Sequence, residues 1–320
     1  NDNAQMIGTA MAVIGRSYKQ RMLDLAEKRF GPPPVPYCFL SPGSMARNEQ
    51  LVATGQNNAL LLDDSFISEQ HDGYFQVFAK FISDGLAACG YGYNSTKIMA
   101  TNKMWRKTLQ EWIACFARWI DQPSTEELSK KAIFFDLDGI GGKPEWLDDL
   151  HKFVINRSKI NDRLLACLAS NALNRTPPLG FFRNSVLEKD GELHSSVNLK
   201  RRGTAPIVNL IRVHALAAGS FAQNSFERIN DIVAAGIIPA GQGQELRDAM
   251  EFITMVRIRH QALDIAAGRL PNNNIEPRNL SDFERRILKD AFFVLRSAQQ
   301  NLRLKYQADA THQPVRSRLE

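Results

Sequence analysis

The sequence predicts an α+β protein in two parts: a small sheet with flanking helices to about residue 145, then an all-α helical bundle over 146–320. Three observations carry this. Every strand-like apolar run falls in the first part, at Tyr37–Leu40, Ala59–Leu62 and Ala132–Phe135. Helical spacing dominates the remainder, over roughly 145–173, 205–219, 224–235, 242–268 and 281–307. Joints rich in proline and asparagine, such as Thr176-Pro177-Pro178 and Pro271-Asn272-Asn273-Asn274, separate these helical stretches.

In chain order, Ile7, Met11, Ile14, Tyr18, Met22 and Leu25 recur at spacings of three or four and predict a helix with that face apolar. Gly31 and three prolines stop it, since proline cannot continue the backbone ladder. The first strand run then leads into the turn Ser41-Pro42-Gly43-Ser44, and Asp63-Asp64 close the second. Helical spacing returns over 74–86 and 105–120, around a loop at Gly90-Tyr91-Gly92-Tyr93-Asn94. Trp105, Trp112 and Trp119, seven residues apart, predict a buried face rather than a base-stacking platform. The third strand run is ended by Gly139, Gly141 and Gly142.

The 320 residues are too many for one ordinary core, and 44% hydrophobic with 23% charged is a globular balance that excludes wholesale disorder. No apolar run approaches the roughly 18 residues of a membrane span, so no membrane partner is expected. The four cysteines lie far apart without a CxxC pair, which points to reduced thiols and a cytoplasmic location. The six histidines lack metal-ligand spacing and are expected in core or surface roles. The chain opens Asn-Asp-Asn rather than with Met, as a fragment of something longer would. Charge is uneven. Residues 1–150 hold 15 Lys/Arg and 18 Asp/Glu, a net of −3, and residues 151–320 hold 25 and 16, a net of +9. The basic half suits a phosphate-bearing ligand or an acidic protein partner, or is a solvated helical surface; no specific nucleic acid is implied.

A Gly-Ser turn after a strand can present backbone N–H groups to phosphate, although such turns are common. Here the turn heads a longer series. Gly43, Ser44, Arg47, Glu49, Gln50, Thr54, Gln56, Asn58, Ala59 and Leu60 fall in one ordered run, followed by Met99-Ala100-x-Asn102-x-x-Trp105-Arg106 and Phe134-Phe135-Asp136-Leu137. The later half adds Pro178-Leu179-x-Phe181-Phe182-Arg183, Leu199-Lys200-x-x-Gly203-x-x-Pro206-Ile207, Arg257-x-Arg259-His260-Gln261 and Asn274-x-x-Pro277-x-x-Leu280. The whole series resembles a bacterial signalling family of nucleotidyltransferases with the polymerase-β-like fold. That family is found behind cyclic-nucleotide-binding and CBS domains and is related to the uridylyltransferases that modify PII-type signal proteins. The resemblance implies a nucleotidyltransferase-like mixed sheet over 1–145 and a helical substrate-binding domain over 146–320. It also implies nucleotide triphosphate and Mg²⁺ as ligands.

The resemblance further implies that two aspartates one residue apart hold two Mg²⁺ ions, which clamp the triphosphate for in-line transfer. Those positions are Gly55 and Asn57 here, so two carboxylates are missing. Met45 and Ala46 replace the turn's usual acid and glycine, and Asp138 stands where the family has arginine. Asp136 matches the third carboxylate and is the one remaining candidate for catalysis and metal. By the same resemblance the phosphate-binding candidates are Gly43, Ser44, Arg47, Glu49, Gln50, Thr54, Lys200 and Arg259. Two functional readings follow: a degenerate module that senses nucleotide or holds a partner, and an active metal-dependent nucleotidyltransferase acting on a protein or small molecule. A scaffold without ligand is a third.

Overall fold

The computed structural model describes residues 3–182 and 196–310. His194, His312 and the Arg183 end of the Pro178 motif lie outside them. The chain runs α1 (Asn3–Phe30), β1 (Tyr37–Pro42), β2 (Ala59–Leu62), α2 (Ser68–Ala88), β3 (Arg106–Thr108), α3 (Leu109–Asp121), α4 (Thr125–Lys131), β4 (Leu137–Gly142), α5 (Leu147–Lys159) and α6 (Asp162–Leu173). It continues through β5 (Val197–Asn198), α7 (Ala205–Ala218), α8 (Ser225–Ala234), α9 (Ala240–Ala266), β6 (Asn274–Ile275) and α10 (Asp282–Ala310). Two compact units divide it, residues 1–119 with 130–156 and residues 120–129 with 157–320. No helix among the described residues is long and apolar enough to cross a membrane.

The first unit is built on a mixed sheet in the order β3-β2-β1-β4, with β1 antiparallel to both neighbours and β3 parallel to β2. The first two strand runs form as expected and pair with each other, Phe39 opposite Leu60. The third run does not form a strand. Ala132–Phe135 is a 3₁₀ turn, and the strand is the glycine-rich stretch just after it. A short apolar run fits a buried strand and a buried turn equally well. Here Phe134 packs its ring 4.6 Å from Trp105 and 5.3 Å from Trp112, which the turn geometry permits. The glycines are what bring β4 against β1: a Cβ on Gly142 would sit 2.0 Å from the Tyr37 carbonyl oxygen. β3, a three-residue edge strand of Arg-Lys-Thr, carries no apolar signal at all.

Helix α1 also differs from its reading. The expected apolar face is half-buried to exposed, with Ile14 and Tyr18 in solvent. The buried line is Ala4, Gly8, Ala12, Gly15, Lys19, Leu23 and Ala26. Small residues win because the helix approaches backbone: a Cβ on Gly8 would lie 2.9 Å from the Asn48 carbonyl oxygen. α1 and α2 cover a core of Phe39, Leu60, Leu62, Phe75, Phe78 and Ile82. The three tryptophans are buried as expected, and Trp112 donates its indole N–H to the Leu60 carbonyl at 3.0 Å. Trp105 lies in a 3₁₀ turn ahead of α3 rather than on the same helix.

The second unit is a helical bundle in which α10 packs on α6, α7 and α9, and α7 on α6 and α8. The helix expected over 145–173 is two helices. Asn161 separates them, its side-chain oxygen capping α6 by accepting the Leu164 N–H at 2.9 Å. The β5–β6 pair, two residues a side, is the only ladder described in this unit.

Candidate functional site

The Gly43-Ser44 turn leaves the end of β1 and makes one helical turn, with the Arg47 N–H donating to the Gly43 carbonyl at 3.2 Å. Gly43 has φ +92°, a left-handed conformation that glycine adopts freely. Its own N–H donates to the Asp136 carbonyl at 2.9 Å, which stitches the turn to the chain entering β4. The next three backbone N–H groups, of Ser44, Met45 and Ala46, find no acceptor among the described residues. They are orphan donors of the kind found in the first turn of a helix.

Behind the turn sits a buried charge network. Arg47, 8% exposed, donates through Nη1 to Asp136 Oδ2 at 2.6 Å and through Nε to Glu49 Oε2 at 2.8 Å. Burial penalises the guanidinium charge, but the two carboxylates outweigh that cost and raise its pKa above the ordinary arginine value. Asp136 is fully buried. The one carboxylate matching the family's metal ligands is therefore already engaged by a cation, and Arg47 is engaged in turn.

Four groups on α1 hold this loop, and the apolar pattern gave no sign of them. Arg16 donates to Asp138 at 2.8 Å, to the Asn48 side chain at 2.8 Å and to the Met45 carbonyl at 3.0 Å. Asn48 sits at φ +55°, a region asparagine tolerates. Gly8 and Gly15 lie against the 45–50 segment, a Cβ on Gly15 falling 2.6 Å from the Met45 methyl. Lys19, only 2% exposed, donates to Ser41 Oγ at 2.6 Å and to the Asn57 carbonyl at 3.4 Å. Burial pushes its pKa down to about 7, Asp138 opposing and Arg16 assisting the shift. The signal was present in the small residues at three-to-four spacing, which mark close backbone approach.

The segment entering β2 has no charge. Gly55 is exposed and bridges Gly92. The Asn57 side-chain oxygen accepts from Asn94, and Asn58 accepts the Ala100 N–H at 2.7 Å, so both asparagines anchor the 91–100 loop. Thr54 is partly exposed with its hydroxyl on the Gly55 carbonyl at 3.3 Å, and Gln50 is buried against the Tyr91 hydroxyl at 3.4 Å. Two Mg²⁺ ions require anionic oxygens; glycine, a neutral amide and a carboxylate already engaged by arginine do not fit them. No group of three or more His, Cys, Asp or Glu among the described residues is placed to hold a metal ion.

In the second unit the motif residues meet around a buried arginine. Arg257 is buried and donates to Asn273 and to the Thr204 hydroxyl, both at 3.0 Å, and Gln261 donates to Asn273 at 3.0 Å. This ties α9 to the β5–β6 pair and to the π-helical turn Lys200–Thr204, which carries Lys200. Arg259 points the other way, exposed and paired with Glu284 of α10. Thus Gly43, Ser44, Arg47, Glu49 and Asp136 are brought together in the first unit. Lys200 and Arg259 occupy the second, on the π-helical turn and on α9 respectively.

Residues 1–126 match the family model described as "Putative nucleotidyltransferase DUF294", and residues 162–306 match that of the "Putative nucleotidyltransferase substrate binding domain". No curated protein matches the chain.

Proposed function

We propose, for a chain that belongs to the nucleotidyltransferases these two models describe, that it senses a nucleotide or related phosphate ligand without metal and transfers nothing. The observation that carries this reading is the donor set. Positions 55 and 57 offer no carboxylate, and the Asp136 oxygen that would complete the site is held by Arg47 at 2.6 Å. In-line transfer needs cations to bridge the phosphates and neutralise charge developing on them. Among the described residues Arg47 does not replace that chemistry, being buried and balanced by two carboxylates.

What supports ligand binding is the turn itself. The Ser44, Met45 and Ala46 N–H groups lack acceptors among the described residues, and the part-exposed Ser44 adds a hydroxyl. Consecutive N–H groups after a left-handed glycine form a concavity suited to an anion. Removing two aspartates from the neighbouring segment lowers the electrostatic cost of bringing phosphate close. A role in a signalling chain, and kinship with uridylyltransferases of PII-type proteins, belong to this same proposal.

The test is incubation of the full chain with labelled ATP, GTP, CTP and UTP and Mg²⁺, with and without candidate acceptor proteins. The reading predicts no labelled product. Metal-dependent transfer that is lost in Asp136→Ala, with the variant still folded, would instead establish the enzyme.

A further inference from the structure

Along the buried line of α1, Lys19 is the one charged residue among alanines, glycines and a leucine. Gly8 and Gly15 bring this line against the 45–50 segment. Lys19, one turn beyond Gly15, reaches the end of β1 and the segment entering β2. There its ammonium is short of partners. It donates to the Ser41 hydroxyl at 2.6 Å and to the Asn57 carbonyl at 3.4 Å, and it forms no ion pair among the described residues.

The charges around Lys19 do not complete it. Asp138 on β4 favours its proton, but Arg16 holds that carboxylate at 2.7 Å. Arg16 itself, on α1, adds a like charge. The β1 and β2 sides offer an uncharged hydroxyl and a carbonyl, and no charge on α2, which packs beside α1, acts on it. An ammonium 2% exposed and without a counter-charge is costly, so the free protein holds much of it as the amine, with a pKa of about 7. An anion site lies beside it. The Ser41 hydroxyl that accepts from Lys19 donates in turn to the Met45 thioether at 3.5 Å. Met45 is the middle one of the three residues, Ser44 to Ala46, whose backbone N–H groups lack acceptors among the described residues. A cation short of an anion and a row of donors short of an acceptor thus meet across one hydroxyl.

We propose that Lys19 is the cation of this site: its ammonium, in place of a metal ion, balances a fully ionised phosphate held by the Gly43-Ser44 turn, and the bound form carries one proton more than the free form. This rests on the reading of the turn as a metal-free phosphate site and assigns the residue that makes such binding possible. Direct contact is not required, because in a low-dielectric interior a charge acts over several ångström.

The experiment is titration calorimetry of ATP into the full chain in EDTA, run in Tris and in HEPES, whose ionisation enthalpies differ. At pH 8 the two heats should differ by the uptake of most of one proton per ATP. Affinity should fall by up to about tenfold per pH unit above pH 7.5, a range in which a terminal phosphate, with its second pKa of about 6, is already ionised. Lys19→Met should bind about tenfold or more weakly at pH 7.5, without proton uptake and without the pH slope. An apolar side chain of similar length in this buried place should leave the chain folded, and the proton uptake is read on the unaltered protein. ATP bound without proton uptake, with a flat pH profile, or as tightly by Lys19→Met would overturn the role of Lys19 and leave the reading of the turn standing. No binding at millimolar ATP would overturn both.

Discussion

Two neighbouring stretches of the first unit, 43–49 and 54–58, carry adjacent parts of one motif series, and they differ in kind. The first keeps its charged residues and buries them as a closed network, Arg47 between Glu49 and Asp136. The second has no charge, and its asparagines are spent on holding the 91–100 loop. The difference separates two jobs that the motif series merges. The loop network shapes the turn, and the turn survives without the carboxylates that would do chemistry beside it.

The largest effect should come from opening the network. Asp136→Asn leaves a buried guanidinium half-matched and should cost about 3–5 kcal/mol in urea unfolding. Gly55→Asp with Asn57→Asp should change stability by less than about 1 kcal/mol, because Gly55 is exposed and Asn94 can donate to either side chain at 57. Equal costs would break the contrast between the stretches.

Lys19 supplies the next. Its folded pKa of about 7 lies below the ordinary 10.5, so between these values the unfolded chain binds a proton that the folded chain does not. Stability should therefore rise as pH goes from 7 toward 9.5, by at most about 1.4 kcal/mol per pH unit. Lys19→Met should flatten that slope. A profile identical in both proteins would mean that the lysine is not desolvated between α1 and the loop.

The two faces of α1 sharpen the comparison further. Gly8→Val places carbon against the Asn48 and Glu49 backbone and should destabilise by about 1–3 kcal/mol, whereas Ile14→Ser on the exposed face should stay within about 0.5. The smallest effect belongs to Arg259→Ala. That exposed pair with Glu284 should contribute under about 1 kcal/mol, and nucleotide binding at the turn should be unchanged in calorimetry.

Much of this was legible in the amino-acid sequence, for reasons that also explain the rest. The Tyr37–Leu40 and Ala59–Leu62 strands are apolar runs between turn residues, and helices such as α8 and α10 announce themselves by period. β4 was misplaced because its glycines look like a terminator, when their lack of side chains is what lets it lie on β1. The inward face of α1 is not legible from apolar bulk, because close packing on backbone selects Ala and Gly there. At the site, the absence of carboxylates at 55 and 57 is plain from the residues. That Asp136 and Arg47 belong to each other, 89 positions apart, is not. Neither are Arg16 and Lys19, whose roles exist only once α1 lies across the loop.

The central claim is that the turn works without metal, and titration calorimetry of ATP into the full chain with Mg²⁺ and with EDTA tests it most directly. Metal-free binding predicts an affinity in EDTA at least as tight as with Mg²⁺, because free ATP carries more negative charge than its Mg²⁺ complex, and a weakening as salt rises. Binding that appears only with Mg²⁺ would contradict it.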